Sequence, residues 1–315
     1  MTKPMPRHVF WRRQYDAKRY MRHLLQPELN HRIRDIFLNL LRLTPEAKIG
    51  VFEINDENAV WLEKWTHVLE EMQLRYGPYP SGFTREILNS EPFPDFASAL
   101  AEKAAKKLSA LGLKRGEIFV KFGKSTYMEA LYESGALRIQ PASFFGNKNL
   151  RGALRDDELR FPLSFALSRD DVVKLVINPQ DVPANIPEER IDVRLDAPTD
   201  YWLYCVTSSV EPRLFVDFGV DACVIIRDRQ GFRDRLREST KAILEGAAMI
   251  EGPAQYVDPL LPRSANIFVP LCKHFGYAYQ EEYRFCWLPS SPTQKLNHVD
   301  IRLGSLKGIA DLIVL

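Results

Sequence analysis

Residues 279–287 have the sequence YQEEYRFCW, and this stretch decides how the second half of the chain is interpreted. Its alternation of polar and aromatic residues predicts a β-strand, since successive strand side chains point to opposite faces. Glu281 then shares a face with the aromatic residues, whereas Gln280, Glu282 and Arg284 line the other face. Such a polar row is costly to bury unless its charges are paired, so it favours a polar cleft. An Arg284–Glu282 pair on a solvent-exposed strand is the alternative interpretation.

The composition is that of a globular protein. Of the 315 residues, 45% are hydrophobic and 27% are charged, which argues against overall disorder. No apolar run approaches the roughly 18 residues that span a bilayer, and residues 1–13 lack the apolar segment of a secretory signal. The four cysteines lack the CxxC spacing typical of zinc sites. These features predict a cytoplasmic protein without membrane contact and without a metal site.

The pattern of apolar residues divides the chain into two parts. Residues 1–112 predict a helical N-terminal module, and residues 113–315 predict a second domain of short strands with inserted helices. Within the module the predicted helices span 8–43, 60–75 and 96–111, with a proline- and glycine-rich boundary at 76–95. In the second domain the predicted strands span 118–122, 137–139, 160–167, 172–177, 191–195, 201–206, 222–227, 279–287 and 299–303, and predicted helices span 126–135, 232–245 and 306–312. Because strands and helices do not alternate regularly, we expect an α+β fold with a mixed or antiparallel split sheet.

The first part of the helical module is basic. Residues 1–42 carry ten lysines and arginines against three acidic residues, and aromatic side chains are interleaved among them. Within this arm, residues 7–34 are suited to contact RNA, DNA or an acidic partner. The other interpretation is a solvated helix face that docks on the rest of the protein.

Familiar catalytic motifs are missing from the sequence. It contains no Walker loop, no GxGxxG fingerprint, no HExxH motif and no GxSxG elbow, and its six histidines do not cluster. A serine hydrolase or a metal-dependent hydrolase is therefore disfavoured.

Four stretches of the second domain resemble the DUF2971 family of uncharacterised bacterial proteins. They are residues 119–123 with 128–139 and 141–145, residues 204–208, residues 214–226, and residues 279–285 with the tail 301–305. The resemblance covers about the last two-thirds of the chain, and residues 1–110 have no counterpart in it.

The order of these motifs also resembles the ADP-ribosyltransferase fold. In that fold a first strand offers a basic residue to NAD, a middle strand carries Ser-Thr-Ser, and a late strand carries Gln-x-Glu or Glu-x-Glu. This chain offers Lys121, then residues 207–209 (TSS), then residues 280–282 (QEE). It departs from the family pattern in having lysine where arginine or histidine is usual, and Thr-Ser-Ser in place of Ser-Thr-Ser.

The resemblance implies an NAD-dependent ADP-ribosyltransferase that modifies a macromolecule, such as a toxin or an anti-phage effector whose helical module selects the target. Glu282 would stabilise the oxocarbenium-like transition state, as a carboxylate does in glycoside hydrolysis. Gln280 would position the acceptor. NAD is the implied substrate, and no metal is implied.

The same resemblance assigns residues to the NAD site. Lys121 would meet the pyrophosphate, Ser208 would hold the middle strand near the nicotinamide, and Tyr204 or Phe122 would stack on a ring. Their ordinary interpretations are an exposed strand lysine for Lys121, a turn residue for Ser208 and a core aromatic for Tyr204.

Two other classes of function stay open. One is a non-catalytic module that binds a nucleotide or a partner protein. The other is a nucleic-acid-binding or nucleolytic protein, in which the basic arm grips phosphate and Asp156, Asp157 or Glu282 holds a metal ion, although the acidic stretch 156–158 is also typical of a solvated loop. The transferase hypothesis requires Lys121, Ser208 and Glu282 to converge on one cleft.

Overall fold

The computed structural model describes residues 5–51, 55, 58–78, 93–112, 116–167, 189–262, 267–293 and 295–315. Its helices are α1 (Arg7–Lys18), α2 (Gln26–Leu40), α3 (Ala59–Tyr76), α4 (Ala99–Ser109), α5 (Ser125–Ser134), α6 (Arg213–Phe218) and α7 (Arg229–Lys241). Short 3-10 helices cover Ala142–Gly146, Val269–Leu271 and Phe275–Gln280. Among these described helices, none combines the length and the apolarity needed to cross a bilayer.

The strands follow the same order along the chain. They are β1 (Leu41–Leu43), β2 (Ile49–Val51), β3 (Phe119–Gly123), β4 (Ala136–Pro141), β5 (Arg160–Leu167), β6 (Glu189–Asp196), β7 (Trp202–Thr207), β8 (Ala222–Ile226), β9 (Ala248–Pro253), β10 (Gln255–Val257), β11 (Cys272–His274), β12 (Glu282–Leu288), β13 (Val299–Arg302) and β14 (Ala310–Val314). The protein is therefore α+β, and its main sheet is antiparallel throughout.

Strand β7 is the centre of the main sheet. One edge of β7 pairs with β12 along its whole length, from Thr207 opposite Glu282 to Trp202 opposite Trp287. The other edge is shared by two strands, because β4 pairs only with residues 202–203 and β3 pairs only with Thr207. From there β4 continues to β13, and β3 continues to β8 and β14. The sheet is thus split beside the middle of β7.

Local sequence explains why several helices begin where they do. The hydroxyl of Ser98 accepts a hydrogen bond from the backbone N–H of Ala101, and the carboxylate of Asp228 accepts one from Gly231. Both are N-caps that satisfy backbone donors at a helix start. Gly135 ends α5 in the left-handed region at φ 67°, where a Cβ would lie 2.3 Å from the carbonyl oxygen of Gly304.

The predicted helix 8–43 is wrong as one element. Helix α1 ends at Lys18, Arg19 adopts left-handed φ and ψ of 38° and 50°, and α2 begins at Gln26 with Pro27 in its first turn. Proline is tolerated in a first turn but not in a helix interior, so Pro27 favours a new helix start. The chain then leaves α2 for the β1–β2 hairpin, where the sequence predicts a continuing helix.

The strand predicted over 279–287 is also shorter than expected. Phe275–Gln280 form a 3-10 helix, and β12 begins at Glu282. Glu281 links them in the left-handed region, with φ and ψ both 47°, a conformation unusual for a residue other than glycine. Its carbonyl oxygen accepts hydrogen bonds from the N–H and the hydroxyl of Ser208, which fix the bend. Strand alternation therefore does not govern Gln280.

The predicted closing helix 306–312 is wrong, since residues 310–314 form β14 and pair with β8. In this strand Leu312 packs against one hydrophobic core and Ile313 against another, which is the two-residue period of a strand. Strands β9, β10 and β11 were not predicted. The predicted strand 172–177 and most of the predicted boundary 76–95 lie outside the described residues.

The helical module packs directly on the second domain. Helix α2 and the 3-10 helix at Phe275–Gln280 share a core that contains Ile33 and Phe275. Arg32 forms a bidentate ion pair with Asp258, with N–O distances of 2.9 and 2.7 Å, and both side chains are buried. Helix α4 joins a second core beneath β3 and β8.

Three arginines of the basic arm form ion pairs with other parts of the chain. Arg12 pairs with Glu70 and Arg19 pairs with Glu71, in addition to the Arg32–Asp258 pair. These contacts support the interpretation of residues 7–34 as a docked helical face.

Candidate functional site

A cavity of about 290 Å³ lies where the main sheet is split. Its walls come from residues 120–123 of β3, residues 203–207 of β7, and Arg138 and Gln140 of β4. Gln280, Glu282 and Lys273 supply polar groups, whereas Phe145, Leu154 and Phe218 supply apolar surface. A concave, mostly apolar site with a few converging polar groups is the usual form of a small-molecule pocket.

Lys121 extends across the split in the sheet. Its Nζ donates to the carbonyl oxygen of Cys205 at 2.7 Å, in the part of β7 that neither β3 nor β4 covers. The same ammonium group lies 4.4 Å from the centre of the Tyr204 ring, a cation–π contact. Burial lowers the pKa of Lys121, and Cys205 and Glu282 act in the opposite direction. The lysine is therefore a half-buried cation in the cavity wall.

Glu282 is the first residue of β12 and lies in a network of buried charges. One carboxylate oxygen accepts from Lys273, and the other accepts from Arg284 Nε at 3.1 Å. Arg284 in turn binds Glu158 at 2.8–3.0 Å and donates to the carbonyl oxygens of Pro270 and Cys272. With both acids ionised, the two acids and two bases of this quartet balance in charge, which is the condition for burying charges.

The quartet shifts the protonation of its acids in opposite directions. Burial alone raises the pKa of Glu282, but Lys273 and Arg284 outweigh it and lower that pKa to about 2. Burial raises the pKa of Glu158 to about 7, against the lowering effect of Arg284 and with a further rise from Asp156. Glu282 is thus ionised at neutral pH, whereas Glu158 titrates near it.

Gln280, at the end of the 3-10 helix, is 1% exposed. Its Nε2 donates to the carbonyl oxygen of Ala153 at 2.7 Å and also lies 3.4 Å from the hydroxyl of Tyr279. Its Oε1 has no hydrogen-bond partner among the described residues, and the same holds for the hydroxyl of Tyr204, which is 3% exposed. Both side chains line the cavity. Buried polar atoms without partners are uncommon, and where they line a cavity, water or a ligand can bond to them.

Five of the six residues predicted for the site line this cavity: Lys121, Phe122, Tyr204, Gln280 and Glu282. Ser208 is the exception, because its hydroxyl donates to the carbonyl oxygen of Glu281 at 3.1 Å and it is absent from the cavity wall. Thr207, its neighbour, is in that wall. Of the three residues whose convergence the transferase hypothesis requires, Lys121 and Glu282 line the cavity and Ser208 does not. The predicted role of Ser208 near a nicotinamide stays a prediction.

Phe122 and Tyr204 also serve the fold. The Phe122 ring meets Phe215 edge-on with centroids 5.0 Å apart, and Tyr204 lies 6.5 Å from Phe232 in the core under α7. Part of each ring surface is therefore used in packing against the core and is not available for stacking on a ligand.

Lys273 and Glu158 were not predicted for this site. Both reach Glu282 or Arg284 only through tertiary contacts, so no spacing in the sequence connects them. One usable signal was the lysine in the apolar run 269–273 (VPLCK), since a lysine within such a run needs a buried partner. The sequence places Glu158 only within an acidic stretch.

The cavity side chains include a single cysteine, Cys205, whose pKa burial raises to about 12. A thiol so strongly held in its neutral form is a poor nucleophile. Within the described residues, no group of three or more His, Cys, Asp or Glu side chains is placed to hold a metal ion.

Comparison of the chain with protein-family models, with curated proteins and with solved structures finds no match in any of the three.

Proposed function

We propose that the cavity binds the nicotinamide-riboside end of NAD and that the protein transfers ADP-ribose to a macromolecular acceptor. The observation that carries this proposal is the convergence of Lys121, Gln280 and Glu282 on one cavity in the split of the sheet. A volume of about 290 Å³ is close to the lower limit of the range for small-molecule pockets, roughly 300–1,000 Å³. It suits one ring and its sugar, with the remainder of a dinucleotide outside.

In this reaction the bond between the nicotinamide nitrogen and ribose C1′ breaks, and its electron pair goes to the ring nitrogen. Nicotinamide leaves as a neutral molecule, the acceptor's nucleophilic atom bonds to C1′, and the acceptor's proton passes to solvent. Positive charge develops on the ribose in the transition state, as in glycoside hydrolysis. A fixed carboxylate nearby stabilises that charge.

Glu282 has the properties needed for this role. Its pKa of about 2 keeps it ionised, and its side chain is 11% exposed toward the cavity. An ionised carboxylate offers about four acceptor positions, and Lys273 and Arg284 use two of them. Two positions remain for ribose hydroxyls.

A second candidate is binding without turnover. Glu282 touches two cations, Lys273 and Arg284, and both attenuate the field that it exerts on a developing positive charge. The same cavity is then a nucleotide-binding site that leaves its ligand intact.

Nicotinamide release separates the two candidates. Purified protein is incubated with NAD, and free nicotinamide is measured for the wild type, for Glu282→Gln and for Glu281→Gln. The adjacent Glu281→Gln variant is the matched control, since its side chain is not in the cavity wall. We expect release by the wild type and by Glu281→Gln, and loss of release in Glu282→Gln with a cooperative unfolding transition retained. Bound but unaltered NAD supports the second candidate. Absence of NAD binding rejects the transferase and rejects NAD as the ligand of the second candidate.

A further inference from the structure

The orientation of the Gln280 side-chain amide is fixed by its surroundings. Amide oxygen and nitrogen are assigned from their hydrogen bonds, and the carbonyl oxygen of Ala153 can only accept. With 2.7 Å between that oxygen and Gln280, the contacting atom must be the donor Nε2. The acceptor Oε1 is therefore turned away from Ala153, and no described residue donates to it.

An acceptor atom held in a fixed position favours ligands that present a hydrogen-bond donor to it. Gln280 is 1% exposed, so leaving Oε1 without a hydrogen bond is unfavourable. A ligand group with an N–H or O–H satisfies it. A carboxylate does not, since it would place an acceptor against an acceptor.

Glu282 and Gln280 differ in charge, which divides the ligand's donors between these two acceptors. Hydrogen bonds to an ionised acceptor are stronger than those to a neutral one, so ribose hydroxyls are best matched by Glu282. The neutral Oε1 of Gln280 is left for a neutral donor, and beside it Ala153 and Leu154 offer an apolar wall to a flat ring.

We infer that Gln280 is a specificity-determining residue that selects a ring carboxamide over a ring carboxylate, by accepting a hydrogen bond from the carboxamide N–H. This role differs from positioning a macromolecular acceptor, which the motif resemblance implies for the same residue. The inference rests on the proposed function, because it takes the nicotinamide end of NAD as the ligand.

Two dinucleotides that differ only in this group test the inference: NAD, and its nicotinic acid analogue. Calorimetric titration of the full chain is expected to show NAD binding at least tenfold more tightly than the analogue. In Gln280→Met, which keeps the volume but removes the acceptor, the ratio is expected to fall to about one through weaker NAD binding. Gln255→Met changes an exposed glutamine outside the cavity and should keep the wild-type ratio.

The wild-type ratio can overturn the inference even where Gln280→Met fails to fold. A ratio near one, or a preference for the carboxylate, overturns the inference; if nicotinamide release is still lost in Glu282→Gln, the proposed function stands. If neither dinucleotide binds, the proposed function and the inference fall together.

Discussion

The ammonium group of Lys121 and the carbonyl oxygen of Cys205 are joined by a hydrogen bond of 2.7 Å across the split in the main sheet. Neither β3 nor β4 pairs with β7 at that position. The lysine thus takes the place of a missing neighbouring strand, and it brings a positive charge into the cavity wall.

Replacing Lys121 with methionine removes this charge and keeps most of the side-chain volume. Loss of the hydrogen bond to Cys205 costs about 1 kcal/mol of unfolding free energy, which relief from burying a cation offsets in part. Under the proposed function, NAD affinity falls at least tenfold, since a hydrogen bond to a charged group contributes roughly 1.5–3 kcal/mol. Calorimetry measures the affinity, and Lys124→Met, at an exposed lysine, is the control. Unchanged affinity would place NAD elsewhere.

Two buried tyrosines, Tyr201 and Tyr204, differ in whether their hydroxyl groups are hydrogen-bonded within the protein. The hydroxyl of Tyr201 donates to the carbonyl oxygen of Glu158 at 2.9 Å, whereas no described residue bonds the hydroxyl of Tyr204. We expect Tyr201→Phe to lower the unfolding free energy by about 1 kcal/mol, and Tyr204→Phe to leave it unchanged or raise it. Urea denaturation gives both values. A clear loss of stability in Tyr204→Phe would show that its hydroxyl has a partner in the folded protein.

Glu158 makes the stability depend on pH. Burial, opposed by Arg284, raises its pKa to about 7 in the folded protein, above the value of about 4.3 expected for an unfolded chain. The folded state then holds the proton more tightly. The resulting stabilisation is complete below pH 4 and is lost as the pH rises through 7.

The variant Glu158→Gln should lose this part of the pH dependence. Between pH 5 and pH 8 the unfolding free energy of the wild type is expected to fall relative to that of the variant by roughly 1–3 kcal/mol. Urea denaturation at four pH values in this interval measures the difference. Parallel curves for the two proteins would mean that Glu158 is ionised throughout.

Asn39 connects the helical module to the segment that carries Gln280. Its Nδ2 donates to the carbonyl oxygen of Gly276 at 2.8 Å, and its Oδ1 accepts from the N–H of Tyr279 at 2.8 Å. Asn39→Ala leaves these buried backbone groups without partners, so we expect a loss of roughly 1–3 kcal/mol in unfolding free energy. Hydrogen exchange should accelerate at residues 275–280. Asn30→Ala, on the same helix, is the control. Equal changes in unfolding free energy and hydrogen exchange for both variants would show that Asn39 does not specifically hold residues 275–280.

The elements that were predicted correctly have a strong local pattern. Strand β8 is an uninterrupted apolar run, and α5 ends at Gly135, which adopts the left-handed conformation typical of a glycine C-cap. The predictions failed where a tertiary contact overrides such a pattern. Tyr279 continues the alternation of β12, but Asn39 binds its backbone from 240 residues away and holds it in a 3-10 helix.

The candidate site was predictable to a similar extent. Lys121 and Glu282 were found through their order along the chain, and both line one cavity. Strand alternation also offered the Arg284–Glu282 pair, although as an exposed pair, whereas Arg284 is buried. Lys273 was not found, because it reaches Glu282 from β11, a strand that was not predicted. Periodicity reports which face a residue lies on, and it carries no information about which distant charge will share that face.

The Arg32–Asp258 pair has a consequence for the order of events during folding. The two residues lie 226 positions apart, and closing a loop of that length costs about 5 kcal/mol of chain entropy. Contacts of such long range form slowly. On the ribosome, Arg32 of a nascent chain therefore lacks its partner Asp258 until most of the chain has been synthesised. Gln280 and Glu282 are synthesised later still, so the cavity is among the last parts of the molecule to form.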